Sequence, residues 1–117
     1  MILSLVLPRM GELTRPGTVR RVIARAGDAL RPGAPLLEVH VDLDGTSARD
    51  CPAAIVYRLI ATERAYLRRL SVAPGDVLEV AAPIGLATTS LEEAFDGPPV
   101  RALRTTPVSI QVDPLAT

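Results

Sequence analysis

An internal repeat is the feature that most constrains how this chain can fold. Residues 18–39, TVRRVIARAGDALRPGAPLLEV, align with residues 66–87, YLRRLSVAPGDVLEVAAPIGLA, at a constant offset of 48 positions. Identical pairs include Arg20/Arg68, Arg21/Arg69, Gly27/Gly75, Asp28/Asp76, Leu30/Leu78 and Pro35/Pro83. Two copies within 117 residues are too few for a repeat array, so they predict one domain with two pseudo-symmetric halves.

Each copy has the pattern of a strand, a tight turn and a second strand. Residues 18–24 and 66–72 are rich in Val, Ile, Leu and Tyr, which favours extended structure. Gly27 and Gly75, each followed by Asp, interrupt these runs, since glycine adopts the positive φ of a tight turn without steric cost. The extended character then resumes at residues 36–41 and 77–80. The best helix candidate, residues 53–70, is broken up by β-branched and aromatic residues, so we predict an all-β domain.

Composition excludes several classes of function. The formal net charge is zero, which removes the positive potential expected of a nucleic-acid-binding protein. Only 3% of the residues are aromatic, so the core must consist of Ala, Val, Leu and Ile. A single cysteine excludes an internal disulfide, and no segment reaches the ~20 apolar residues needed to span a bilayer. We expect a cytoplasmic protein without a nucleic-acid or membrane partner, and the sequence leaves self-association open.

The two segments outside the repeats differ in character. Residues 42–54, DLDGTSARDCPAA, contain Asp-Gly, which favours a hairpin turn, within a polar stretch longer than such a turn requires. They predict an extended hairpin loop. Residues 90–117 are rich in proline and have little consistent period, which favours a disordered or loosely attached tail. The alternation at residues 108–112 supports two alternatives, an edge strand or docking on a partner.

The order of these motifs resembles that of biotinyl/lipoyl attachment domains. It is most similar to the lipoyl domains of 2-oxo acid dehydrogenase acyltransferases, with matching motifs at residues 7–12, 16–18, 26–28, 33–40 and 67–87. The resemblance implies a flattened β-barrel, a barrel-sandwich hybrid of two four-stranded sheets with quasi-twofold symmetry. This domain would cover residues 1–89, with the hairpin loop at 42–54 and the tail at 90–117.

The resemblance fails at the site that defines the family's chemistry. Lipoyl and biotinyl domains attach their cofactor to a lysine at a hairpin tip, in a motif of the type E-x-E-T-D-K-A. Alignment from Glu38 places Asp42 before that position and Leu43 on it, and the hairpin is lengthened. All thirteen basic residues of the chain are arginines, and a guanidinium is a poor nucleophile. Attachment of lipoate or biotin is therefore excluded, and no cofactor is expected.

Cys51 is the strongest nucleophile in the variant loop. Its thiol could carry a thioester or thioether in place of the missing arm. The favoured interpretation is that Cys51 is simply packed within the loop. His40 is the lone histidine and has no second metal ligand at a suitable spacing. His40 and Asp42 would share one face of a strand, where they could move protons, but a solvated strand face is favoured. No metal site is expected.

The repeated arginine pairs have two interpretations. Strand alternation predicts that the two arginines of each pair point to opposite faces. Protection of exposed strands is the favoured role, and recognition of an acidic partner surface is the alternative.

These residues favour a non-catalytic module over an enzyme. We expect a lipoyl-like accessory or docking subunit without lipoate, whose partner is a thiamine-dependent 2-oxo acid decarboxylase or an acyltransferase component. The partner-binding residues would be those of the hairpin: Asp42, Leu43, Asp44, Arg49 and Asp50. Two alternatives stay open, a carrier with a substitute arm on Cys51 and a subunit that contributes loop residues to the active site of a partner enzyme.

Overall fold

The computed structural model describes residues 1–9, 16–42 and 54–110. Within these ranges the chain forms strands and no helix. The strands are β1 (Ile2–Val6), β2 (Gly17–Val22), β3 (Ala29–Leu30), β4 (Pro35–Asp42), β5 (Ala54–Ala61), β6 (Ala65–Leu70), β7 (Val77–Leu78), β8 (Pro83–Thr88), β9 (Arg101–Ala102) and β10 (Thr105–Ile110). The all-β prediction is confirmed. The described part of the chain contains no helix long and apolar enough to cross a membrane.

The strands form two five-stranded sheets that exchange elements between the two repeats. One sheet has the order β3-β6-β8-β1-β9, and the other has the order β10-β5-β4-β2-β7. Strands β2, β3 and β4 begin 48 positions before β6, β7 and β8. The run β7-β2-β4-β5 of one sheet therefore corresponds to β3-β6-β8-β1 of the other. Because each sheet contains strands of both repeats, neither half can complete a sheet alone.

A β-bulge recurs at the same place in both halves. The register of β2 against β4 shifts between Val19 and Arg21, and that of β6 against β8 shifts between Leu67 and Arg69. A bulge places one extra residue on one strand, so the alternation of side chains is interrupted there. The extra residue is the first arginine of each pair.

The bulge makes the prediction about the arginine pairs wrong. Arg20 donates a hydrogen bond to Glu38, the residue that pairs with Arg21 in the sheet. In the second pair, both guanidinium groups lie over the ring of Phe95, at 4.6 Å and 5.6 Å from its centroid. Each pair therefore points to one side of its sheet and not to opposite faces.

Both predicted Gly-Asp turns are present and connect the two halves. Gly27 and Gly75 each have φ of +98°, a conformation that favours glycine. In each turn the aspartate carboxylate accepts the backbone N–H of the residue three positions earlier, at 2.8 Å and 2.9 Å. The N–H of Gly27 donates to the carbonyl of Leu67 at 2.6 Å, and that of Gly75 donates to the carbonyl of Val19 at 2.7 Å. Each turn is thus fixed to the bulged strand of the other repeat.

The core lies between the sheets and is aliphatic, as predicted. Its buried members are Leu3, Leu5, Leu7, Val19, Ala24, Leu30, Leu36, Leu37, Val39, Val41, Leu59, Ala61, Ala65, Leu67, Leu78, Ile84, Ala87 and Leu103. Tyr57 is partly buried and packs against this cluster. Without large aromatic side chains, close packing depends on many contacts between small branched side chains.

The C-terminal segment corrects two expectations. It adds β9 beside β1 and β10 beside β5, so each sheet has five strands instead of four, and the sheets do not form a closed barrel. Residues 90–110 are therefore not a separate tail, and of the alternatives the edge strand is found, at Thr105–Ile110. Strands β1 and β5 occupy equivalent positions in the two halves. Without this segment, each would leave a row of backbone donors and acceptors unpaired.

The position of Pro107 explains how β10 tolerates a proline. The N–H of Thr62 donates to the carbonyl of Arg104 at 2.9 Å. In an antiparallel pair, the residues whose backbone groups bond to the neighbouring strand alternate along the strand. The backbone N–H and C=O groups of Thr106, Val108 and Ile110 therefore point to β5, and the backbone of Pro107 points to the free edge. The N–H that proline lacks would have pointed away from the sheet. An edge strand with this gap is a poor template for pairing with another chain.

Candidate functional site

The hairpin predicted to bind a partner is formed by β4 and β5. These strands pair from Pro35 and Ile60 at one end to Asp42 and Ala54 at the other. Asp42 is the last residue of β4. The other predicted hairpin residues, Leu43, Asp44, Arg49, Asp50 and Cys51, lie outside the described residues. The structure therefore places the base of the hairpin, from which the predicted contact residues follow directly.

A buried carboxylate with two arginine partners stabilises this base. The side chain of Glu38 is only 1% exposed. Arg58, its cross-strand neighbour, donates to Oε2 from Nε at 3.1 Å and from Nη2 at 2.8 Å. Arg20 donates from Nη1 to Oε1 at 2.6 Å. The cluster joins β2, β4 and β5 through side chains as well as through the backbone ladder.

Glu38 stays ionised because of its two partners. Burial raises the pKa of the Glu38 carboxyl, but the hydrogen bonds and positive charges of Arg58 and Arg20 outweigh burial and hold the pKa below its ordinary value. Both arginines keep about a third or more of their side chains exposed. The cluster thus has one buried negative charge covered by two partly solvated positive charges.

His40 lies next to this cluster along β4. It pairs with Thr18 on β2 and Val56 on β5 and is half-buried. Since side chains two residues apart share a strand face, His40 is on the same side of the sheet as Glu38. The side chain of Asp42 lies outside the described part, so a proton-moving pair with His40 stays a prediction. In the described ranges there is no group of three or more His, Cys, Asp or Glu side chains that could hold a metal ion.

A second ionic cluster fixes the C-terminal segment and was not predicted. Arg101 and Glu63 form a bidentate pair, from Nη1 to Oε2 at 2.7 Å and from Nη2 to Oε1 at 2.8 Å. The backbone N–H of Arg104 also donates to Oε2 at 2.7 Å. The Arg101 hydrogen bonds, assisted by the Arg104 N–H and the positive charges, outweigh burial and lower the pKa of Glu63 to about 2. This clasp holds the β9–β10 connection against the β5–β6 turn.

Arg68 holds the loop that follows β8. Its Nη1 donates to the carbonyls of Leu91 and Glu93 at 2.7 Å and 2.8 Å, and to Oγ1 of Thr88 at 3.2 Å. Arg20 has the Glu38 carboxylate as its partner. The first arginine of each pair is therefore bonded within the molecule and is not available for an acidic partner surface. Sequence indicates that these arginines recur, but their partners differ because Glu38 of β4 corresponds to Leu86 of β8.

Comparison of the chain with models of protein families, with curated proteins and with solved structures finds no match. The functional assignment therefore depends on the residues and geometry described above.

Proposed function

We propose that this chain is a non-catalytic docking module on a lipoyl-like scaffold that carries no lipoate. The observation that supports it most is the β4–β5 hairpin in a chain with no lysine. In the resembled family, this hairpin presents the modified lysine between two symmetric halves. Here it keeps its position between the repeats but has no amine to modify.

The exchange of strands between the repeats also supports a lipoyl-like scaffold. Each sheet combines strands of both copies, in orders that correspond after a shift of 48 positions. Such an arrangement is what quasi-twofold symmetry of the resembled fold requires. The C-terminal strands β9 and β10 would then be additions to a shared framework, one to each sheet.

The ionic cluster at the hairpin base suits a role in recognition. Glu38, Arg58 and Arg20 connect three neighbouring strands, so the base of the hairpin is held in one arrangement. A binding element that is ordered before it meets its partner loses less conformational freedom on association. A rigid hairpin base is therefore consistent with binding to a shaped surface.

The partner would be an enzyme that ordinarily accepts the hairpin of a lipoyl domain. We expect this enzyme to be a thiamine-dependent 2-oxo acid decarboxylase or an acyltransferase component. Asp42, Leu43, Asp44, Arg49 and Asp50 would contact it, and the hairpin would cover the active-site entrance without delivering a cofactor. The chain itself would have no catalytic activity.

Competition binding tests this function. A lipoylated domain and a 2-oxo acid decarboxylase component from the same organism are mixed, and this chain is added while binding is followed by surface plasmon resonance. We expect the intact chain to displace the lipoylated domain. A variant with residues 42–52 replaced by Asn-Gly should not displace it, whereas Glu92→Gln, an exposed change outside the hairpin, should act like the intact chain.

Thermal unfolding of each variant establishes that the fold is retained. If the Asn-Gly variant competes as well as the intact chain, the hairpin is not the docking element. If the intact chain displaces the lipoylated domain neither from a decarboxylase component nor from an acyltransferase component, the proposed partner class is wrong.

A further inference from the structure

A small pocket lies at the end of the β3–β6 pair, in the sheet that does not contain the β4–β5 hairpin. It is lined by Arg31, Arg64, Tyr66 and Thr89, together with apolar residues of the two strands. Its volume is about 250 Å³. That is several times the ~30 Å³ that one water molecule occupies in the liquid, and it is below the ~300 Å³ at which pockets for drug-sized ligands begin. The pocket therefore has room for a small polar group.

The two arginines of the pocket oppose each other. Arg31 follows Leu30 and Arg64 precedes Ala65, the last residues paired between β3 and β6. Each arginine thus lies one position beyond that pair, on opposite sides of the same opening. Because both arginines line the pocket, two positive charges lie at its opening.

In the described part of the chain, no carboxylate is bonded to either arginine. Both side chains are exposed, and among the described residues neither guanidinium has a hydrogen-bond or ion-pair partner. The carboxylate of Glu63, next to Arg64 in sequence, is occupied by Arg101 and by the N–H of Arg104. The Thr89 hydroxyl accepts a hydrogen bond from the amine of Met1 at 3.0 Å. The phenol of Tyr66 has no partner in the described part of the chain.

The internal symmetry does not account for the arginine pair. The positions related to Arg31 and Arg64 by the 48-residue offset are Glu79 and Pro16. The repeat therefore does not place a second arginine pair at the symmetry-related positions. The bulges and the Gly-Asp turns belong to the scaffold and recur in both halves. The Arg31/Arg64 pair does not recur.

We propose that this pocket binds a dianionic oxyanion, the phosphate group of a small molecule. Two guanidinium groups offer paired N–H donors in the fork geometry that matches phosphate oxygens, and their charges balance a dianion. The Tyr66 hydroxyl can supply a further donor. This binding site is independent of the docking function proposed for the hairpin.

Titration with inorganic phosphate tests the site. Backbone amide resonances of the ¹⁵N-labelled chain are followed by NMR at constant ionic strength, maintained with chloride. We expect saturable shifts at Ala29–Leu30 and at Ala65, with affinity reduced at least about fivefold in Arg31→Gln and in Arg64→Gln, because each removes charge-assisted hydrogen bonds. Arg25→Gln is the matched control, since Arg25 is exposed and lies outside the pocket.

Thermal stability gives a second readout that separates binding from a general salt effect. Phosphate should raise the Tm of the wild-type chain and of Arg25→Gln more than that of either pocket variant, because a ligand stabilises only a state that binds it. An equal rise in all four proteins would overturn the proposal, since phosphate also stabilises proteins by exclusion from their surface. Shifts that do not saturate, or equal affinity for the monoanion acetate, would also overturn it.

Discussion

Arg58 donates two hydrogen bonds to a single oxygen of Glu38, from Nε at 3.1 Å and from Nη2 at 2.8 Å. The two residues are direct cross-strand neighbours on β5 and β4. This arrangement leaves the other carboxylate oxygen of Glu38 for Arg20 on the opposite neighbouring strand. A carboxylate that is 1% exposed is thereby satisfied from both sides, and its charge cannot be removed without leaving two arginines close together.

Replacement of Glu38 should therefore destabilise the fold. Glu38→Gln keeps the size of the side chain but removes its charge, so Arg20 and Arg58 would repel each other. Loss of one member of a fully buried ion pair costs ~3–5 kcal/mol. We expect about 2 kcal/mol because both arginines are partly exposed to water, which screens their charges. Urea unfolding measures the change, and Glu92→Gln, at an exposed site, should leave the free energy of unfolding unaltered. Equal stability of the two variants would contradict this role for Glu38.

The Glu63–Arg101 clasp predicts a dependence of stability on acidic pH. The folded-state pKa of Glu63 is about 2, below its ordinary value of 4.5. A depressed carboxyl pKa contributes stability that is complete above the ordinary value and is lost as the pH falls towards the folded value. The wild-type free energy of unfolding should therefore decrease between about pH 5 and pH 2 more steeply than that of Glu63→Gln.

Two arginine variants separate the side-chain pair from the backbone contact. Arg101→Gln removes both guanidinium hydrogen bonds to Glu63, so its pH profile should be as shallow as that of Glu63→Gln. Arg104 contributes its backbone N–H, so Arg104→Gln should keep most of the wild-type slope. If the free energy of unfolding depends on pH in the same way in the wild type and in Arg101→Gln, the Glu63–Arg101 pair is not the source of the pH dependence.

The parts of the fold that the sequence predicted are those with local signals. The Gly-Asp turns at Gly27 and Gly75 follow from the preference of glycine for positive φ, and the repeat indicated which strands are equivalent. Strand β9 was not predicted, because it has only two residues, and β10 was predicted only as one of two alternatives, because it contains a proline. Both pair with strands far away in sequence, β1 and β5, and the short alternation at residues 108–112 does not indicate which strand β10 joins.

The candidate site could also be predicted only in part from the sequence. The position of the hairpin between the repeats was predictable, because the polar segment with Asp-Gly lies between two apolar runs. The Glu38 cluster was not predicted, although a glutamate within an apolar strand indicates a buried charge that needs partners. Its partners depend on strand register and on the bulge at Arg20, which turns that side chain towards Glu38. A bulge is specified by pairing between strands and not by the local sequence alone.

Gly85 on β8 provides a test of the packing next to the second bulge. A Cβ atom at this position would overlap the backbone carbonyl oxygen of Arg69, which cannot move without displacing β6. Gly85→Ala should therefore reduce the free energy of unfolding by about 2 kcal/mol, within the range for overpacked sites. Gly97→Ala is the matched control, because its Cβ would meet only the end of the Ile2 side chain at 3.6 Å. Similar urea midpoints for both variants would show that β6 and β8 can separate at little cost.

The missing lysine leads to a prediction about the mass of the native protein. Lipoate and biotin are attached to their domains through an amide to a lysine amine, and all basic side chains here are arginines. A docking module needs no covalent arm, so protein purified from its native host should have the mass of the unmodified chain by intact-mass spectrometry. Incubation with a lipoate ligase should add nothing, whereas Leu43→Lys restores an amine at the position where the resembled family carries it. An adduct on the native protein that disappears in Cys51→Ser would instead support a carrier with a thiol-linked arm, and the docking proposal would then fail.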